Sequence, residues 1–131
     1  MRFLAALAAA LAWCGAALAD PVGTFDVVGI NPDTGGKYTG VVEVRRSGET
    51  YKIAWSIAGD RYVGTGLGAR IHDGRITVGA ASGSDVGLSV GYISGNSFGM
   101  AMYFEKKDDR WEGVWTYAGS NRVAKEIWVR R

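Results

Sequence analysis

Few side chains in this 131-residue chain are of the kinds that do chemistry, and their spacing keeps them apart. The one histidine, His72, stands in a His72-Asp73-Gly74 turn. Metal binding needs several His, Cys or carboxylate ligands converging, and no short-range pair accompanies this residue. Ser-His-Asp catalysis would depend on the same histidine, and no Gly-x-Ser-x-Gly elbow opens a helix. Gly83-Ser84 and Gly119-Ser120 read as turn dipeptides. Asp108-Asp109 follow Lys106-Lys107 at a charged hairpin tip, where water solvates them. Gly64-x-Gly66-x-Gly68 has the spacing of a phosphate loop, yet no helix follows to offer its N-terminus. These residues predict no enzyme, no metal site and no cofactor.

The aromatic residues carry more. Tyr51 and Trp55 share a face, and Trp111 and Trp115 repeat the same four-residue spacing, with Tyr117 continuing it. In a strand, residues four apart lie about 13 Å apart on one side, so each pair runs along a wall. Such side chains either fill a small core, burying about 150–250 Å² each, or line a cup for a small apolar or planar ligand. Phe98, Met100, Met102 and Phe104 form an apolar face that would add to such a cup. The ligand-binding candidates are therefore Tyr51, Trp55, Met100, Met102, Trp111, Trp115 and Tyr117. Trp128 alternates with Ile127 and Val129, which are expected to face inward. Its ring is then expected outside, as a protein-contact residue.

The elements that must position these residues are strands. Thr50 to Leu67 (TYKIAWSIAGDRYVGTGL) reads as one long hairpin: Ile53, Trp55 and Ile57 alternate with small or polar residues. A Gly59-Asp60 turn reverses the chain. Further strands are expected at Gly23–Ile30, Tyr38–Arg46, Arg75–Ala81, Val86–Ser94, Ser97–Glu105, Arg110–Tyr117 and Arg122–Arg131. Turn signals separate all of them, and no window from Asp20 onward holds a helical period over three turns. About eight or nine short strands with hairpin connections make an all-β, up-and-down antiparallel meander. Closure into a small barrel removes the exposed edges and is preferred to a sandwich.

Residues 1–19 read as a cleaved signal peptide, with a positive start at Arg2, a Leu/Ala run and Ala17-Leu18-Ala19 before Asp20. The only cysteine, Cys14, falls within it, so the remaining 112 residues (20–131) would form one domain without a disulfide. The expected location is the periplasm or the extracellular space after cleavage following Ala19. Removing this leader takes away Arg2 alone, leaving a net charge of +1. Charges of both signs are interspersed, with no basic stripe to attract nucleic acid and no transmembrane span after the leader.

The runs GTFDVVGINPDTGGKYTGVVEV, SGETYKIAWSIAGDRYVGTGL and FGMAMYFEKKDDRWEGVWT together resemble a family of small exported bacterial proteins often labelled fibronectin-binding proteins. The opening Gly23-Thr24-Phe25, the meander and a late arginine are similar to lipocalin and avidin barrels. That resemblance implies an arginine packed on the opening aromatic, here Phe25, with Arg122 or Arg130 as the candidate. Ser47-Gly48-Glu49-Thr50-Tyr51 and Tyr103 to Lys107 also look like patterns of periplasmic lysozyme inhibitors. The resemblances imply a non-enzymatic binding protein. Its partner is expected to be an extracellular or periplasmic protein, in an adhesin-like interaction; the alternatives are a small apolar ligand carried in the barrel, or a lysozyme-type enzyme to be inhibited.

Overall fold

Alternation of inward and outward side chains runs through nearly every strand of the computed structural model, which describes residues 19–131. The expected leader therefore lies outside the described residues except for Ala19. Nine strands and no helix occur among the described residues: β1 (Gly23–Ile30), β2 (Lys37–Ser47), β3 (Thr50–Ile57), β4 (Asp60–His72), β5 (Arg75–Gly79), β6 (Gly87–Ser94), β7 (Ser97–Glu105), β8 (Arg110–Tyr117) and β9 (Ala124–Arg130). All pairings are antiparallel. Eight strands follow the order β3-β2-β1-β9-β8-β7-β6-β4, and a β3–β4 pairing closes the ring. Closure abolishes the sheet edges that an open meander would leave bare. The ninth strand, β5, pairs only with the last third of β4, from Gly68↔Gly79 to His72↔Arg75, and projects from the wall as a short ribbon.

Two-residue turns make the tight connections. Between β3 and β4 the turn is Ala58-Gly59, one residue earlier than expected, because Ile57 pairs with Asp60. Ala58 and Gly59 both have positive φ, 51° and 84°, as the twist of a tight hairpin requires. Asp73 and Gly74 do the same between β4 and β5.

Two strands run in the opposite phase from the expected one. On β7, Gly99, Ala101 and Tyr103 face inward, while Met100 and Met102 are 62% and 47% exposed on the outer wall beside Phe98 and Phe104. On β9, Ala124, Glu126 and Trp128 point in and Ile127 and Val129 point out. The interior sets this choice. Space is scarce inside a small barrel, so bulky rings need small partners on the neighbouring strand. A Cβ on Gly99 would collide with Tyr92, and one on Gly113 would collide with Tyr103. With Gly99 and Ala101 yielding that room, the Phe and Met side chains of β7 remain outside.

Trp128 is fully buried, which corrects its expected role as a surface contact. Its ring lies 3.9 Å from Tyr103, 5.6 Å from Phe25 and 6.1 Å from Trp55, centroid to centroid. These residues join Val27, Val42, Val44, Ile53, Leu88 and Val90 in one core.

One end of the barrel is sealed. The Arg130 guanidinium stacks over the Phe25 ring at 4.6 Å and donates to the Val22 and Asp20 carbonyls. Arg130 thus takes the place anticipated for an arginine on Phe25. Beside it, buried Asp85 accepts hydrogen bonds from the Tyr51 hydroxyl at 2.5 Å and the Ser82 amide at 2.9 Å. Arg70 lies 3.5 Å from its other carboxylate oxygen. Gly68 is required here, since a side chain at that position would occupy the place of the Asp85 carboxylate. Burial, then the bond to Asp85, raises the Tyr51 phenol above its ordinary range.

Candidate ligand cup

At the opposite end the wall stays open. A cavity of about 340 Å³ lies below the turns joining β1 to β2 and β3 to β4. Its aromatic lining comes from six positions on six strands: Tyr38 (β2), Trp55 (β3), Tyr62 (β4), Tyr92 (β6), Tyr103 (β7) and Trp115 (β8). Ile57 adds an aliphatic patch, and Asn31, Gly36 and Lys37 stand at the mouth. Glu126 also lines the cavity, from the third residue of β9.

Strand geometry explains the assembly. Five of the six rings occupy inward-facing positions near the open-end terminus of their strands, and Tyr103 stands deeper on β7, so the closed ring converges them on one space. Glycines make room for them. Gly29, opposite Tyr38 in the β1–β2 register, lets the tyrosine fold across the strand, because any Cβ there would meet the phenol. The rings contact edge to face: Trp55 with Tyr92 at 5.9 Å and Tyr38 with Trp115 at 6.2 Å.

Glu126 is only 4% exposed and collects four neutral donors. Its Oε1 accepts from Trp55 Nε1 at 2.9 Å, Tyr103 Oη at 2.9 Å and Trp128 Nε1 at 2.6 Å. Its Oε2 accepts from the Tyr38 hydroxyl alone. None of the ion pairs among the described residues includes it. Its negative field is felt around the cup. Burial first, and the Glu126 charge second, raise the phenols of Tyr38 and Tyr103 well above the ordinary range and push Tyr92 up to about 12. Tyr92 itself donates elsewhere, to the Thr116 carbonyl at 3.0 Å. Trp115 Nε1 is buried and makes no well-aligned hydrogen bond, although it lies near enough to the Tyr38 hydroxyl to favour its ionised form slightly.

No family model matches this chain, and no curated protein matches it either.

Of the ligand-binding candidates from sequence, Trp55 and Trp115 line the cup. Tyr51 is buried at the sealed end on Asp85, and Trp111 packs in the core opposite Trp128. Met100 and Met102 are outside, and Tyr117 stacks 6.3 Å from Trp115 without lining the cavity. Ser47 of the inhibitor-like pattern lies exposed at the end of β2, while Tyr51 and Tyr103 point inward.

Sequence reasoning missed Tyr38, Tyr62, Tyr92, Tyr103 and, above all, Glu126. A signal was present on β9. Glu126 and Trp128 share one face, so a buried Trp128 brings a carboxylate in with it. Among the described residues no cluster of three or more His, Cys, Asp or Glu forms a metal site, and no helix is long and apolar enough to cross a membrane.

Proposed function

We propose that this chain is an exported small-ligand-binding protein, and that the aromatic cup at the open end of the barrel is its binding site. The observation that carries this reading is the cavity itself. It is concave, walled by six aromatic rings and floored by one buried polar group. That is the composition of a site that holds a small molecule and fixes its orientation. At about 340 Å³ it is at the small end of ligand pockets, which suits a one- or two-ring molecule. The Leu/Ala-rich leader supports export.

Binding is the reading preferred over catalysis. The cup holds one carboxylate, hydrogen-bonded to four donors, with no second carboxylate, histidine, cysteine, serine or threonine in its lining. Calorimetric titration with 2-naphthylmethanol tests the reading. Saturable one-site binding is expected, weakened about tenfold or more by Trp115→Ala and unchanged by Met102→Ala on the outer wall. No saturable binding, or equal loss in both variants, would refute it.

A further inference from the structure

We infer that the cup selects a ligand carrying a positively charged nitrogen on an aromatic or apolar body, with that nitrogen seated at Glu126. The inference rests on the cup being a ligand site and names the chemistry of its occupant. Three features converge on it. First, Glu126 is a buried carboxylate with no Lys, Arg or His within ion-pair distance among the described residues. Burying a charge without a counter-charge is costly, and hydrogen bonds from neutral groups offset only part of that cost. Asp85, at the sealed end, has Arg70 for this purpose. Glu126 lacks such a partner and borders a cavity through which one can arrive.

Second, its acceptor capacity is used unevenly. Oε1 takes three donors and Oε2 only one. A carboxylate oxygen has two lone-pair sites, so Oε2 keeps one for an incoming N–H. Third, the walls are aromatic rings. Aromatic faces carry partial negative charge and attract cations, most strongly where water is excluded. Tyr38, Trp55 and Trp115 are thus suited to surround the nitrogen and the body attached to it. Lys37, the one cation of the lining, is exposed at the mouth and makes no ion pair with the acid.

A neutral or anionic ligand gains nothing from this arrangement. The neutral one leaves Glu126 uncompensated, and the anion adds repulsion. A hydrated metal ion is equally ill served, because the cup offers one carboxylate oxygen and a set of rings where a hard cation needs several oxygens.

The test compares three probes with the same ring system: 2-naphthylmethylammonium, 2-naphthylmethanol and 2-naphthoate. The expected order is ammonium tighter than alcohol by about tenfold or more, with naphthoate weakest. Glu126→Gln is expected to bring the ammonium-to-alcohol ratio to within about twofold while the alcohol still binds. Should Glu126→Gln fail to fold, as judged by its near-ultraviolet circular dichroism, Tyr38→Phe provides the second arm. It keeps the charge and frees Oε2 of its only protein donor, so the ammonium is expected to bind at least as tightly as to wild type and to keep its advantage over the alcohol. Equal affinities for ammonium and alcohol in wild type, a preference for naphthoate, or a loss of the ammonium's advantage in Tyr38→Phe would overturn the inference and leave the cup as an uncharged site. Absence of binding by all three probes would overturn the cup reading together with it.

Discussion

The two ends of the barrel each bury one carboxylate, and they handle it differently. Asp85 is held by Arg70, the Tyr51 hydroxyl and the Ser82 amide, in a space that Gly68 leaves for it. Glu126 is held by two tyrosines and two tryptophans, all neutral, beside an open cavity. The first arrangement sets a cation against the acid and closes that end of the barrel, although Asp85 Oδ1 itself accepts no hydrogen bond. The second satisfies hydrogen bonding and leaves the carboxylate without a counter-charge, which is the difference the proposed cation site rests on.

The largest expected effect tests the sealed end. Asp85→Ala leaves Arg70 without its counter-charge, while Tyr51 and Ser82 keep their hydrogen bonds to each other, and should cost about 3–5 kcal/mol in denaturant unfolding. Probe affinity at the cup should stay unchanged in the folded fraction. A cost below about 1 kcal/mol would mean that water already serves Arg70 and that the plug is looser than its geometry implies.

Glu126→Gln is expected to cost less, about 1–3 kcal/mol, because an amide oxygen retains some of the donors while the uncompensated charge disappears. Unfolding curves of the two variants side by side sharpen the contrast between the ends. If Glu126→Gln proved the more damaging of the two, Glu126 would be the structural keystone and Asp85 the accessory.

Alkaline pH probes the same contrast through the tyrosines. Burial raises Tyr38, Tyr51, Tyr92 and Tyr103 above the value of 10.0 that each would show unfolded. Between about pH 10 and 12 the unfolded chain therefore releases protons that the native state keeps. The unfolded state then binds fewer protons, and stability falls as pH rises through this window. Below pH 10 this contribution is fully present. The Tyr92 phenol, pushed up to about 12, should be the first of the four to ionise in the folded protein, followed by ultraviolet difference spectroscopy against Tyr92→Phe. Early ionisation of Tyr51 instead would show the sealed end open to water.

The smallest effect concerns Trp115. Its buried indole N–H makes no well-aligned hydrogen bond, so Trp115→Phe removes a poorly satisfied donor and should change stability by no more than about 1 kcal/mol, with stabilisation the expected sign. A larger loss, measured by thermal unfolding, would reveal a hydrogen bond at that nitrogen.

Much of the fold was legible because turn chemistry and period-2 alternation agree. Ser97–Glu105 and Arg110–Tyr117 end where their flanking turns dictate. The site was harder to read, for a specific reason. On β7 and β9 both faces hold plausible core residues, and local hydrophobicity favours Phe98, Met100 and Met102 over Gly99 and Ala101, and Ile127 over Glu126. Which face turns inward depends on space left by the neighbouring strand, such as the gap that Gly99 leaves for Tyr92. That information is non-local and enters only through the pairing register. Trp128, read as a surface residue, was the indicator of the correct phase, since its burial would have carried Glu126 inside with it.

The indole N–H proton spectrum, recorded during titration with 2-naphthylmethylammonium, tests the central claim most directly, because the indoles report on different parts of the barrel. Trp55 and Trp115 line the cup and should shift progressively with probe, while Trp111 in the core should hold its position. Shifts confined to Trp111, or no indole shift at saturating probe, would contradict the assignment of the open end as the place where this protein binds.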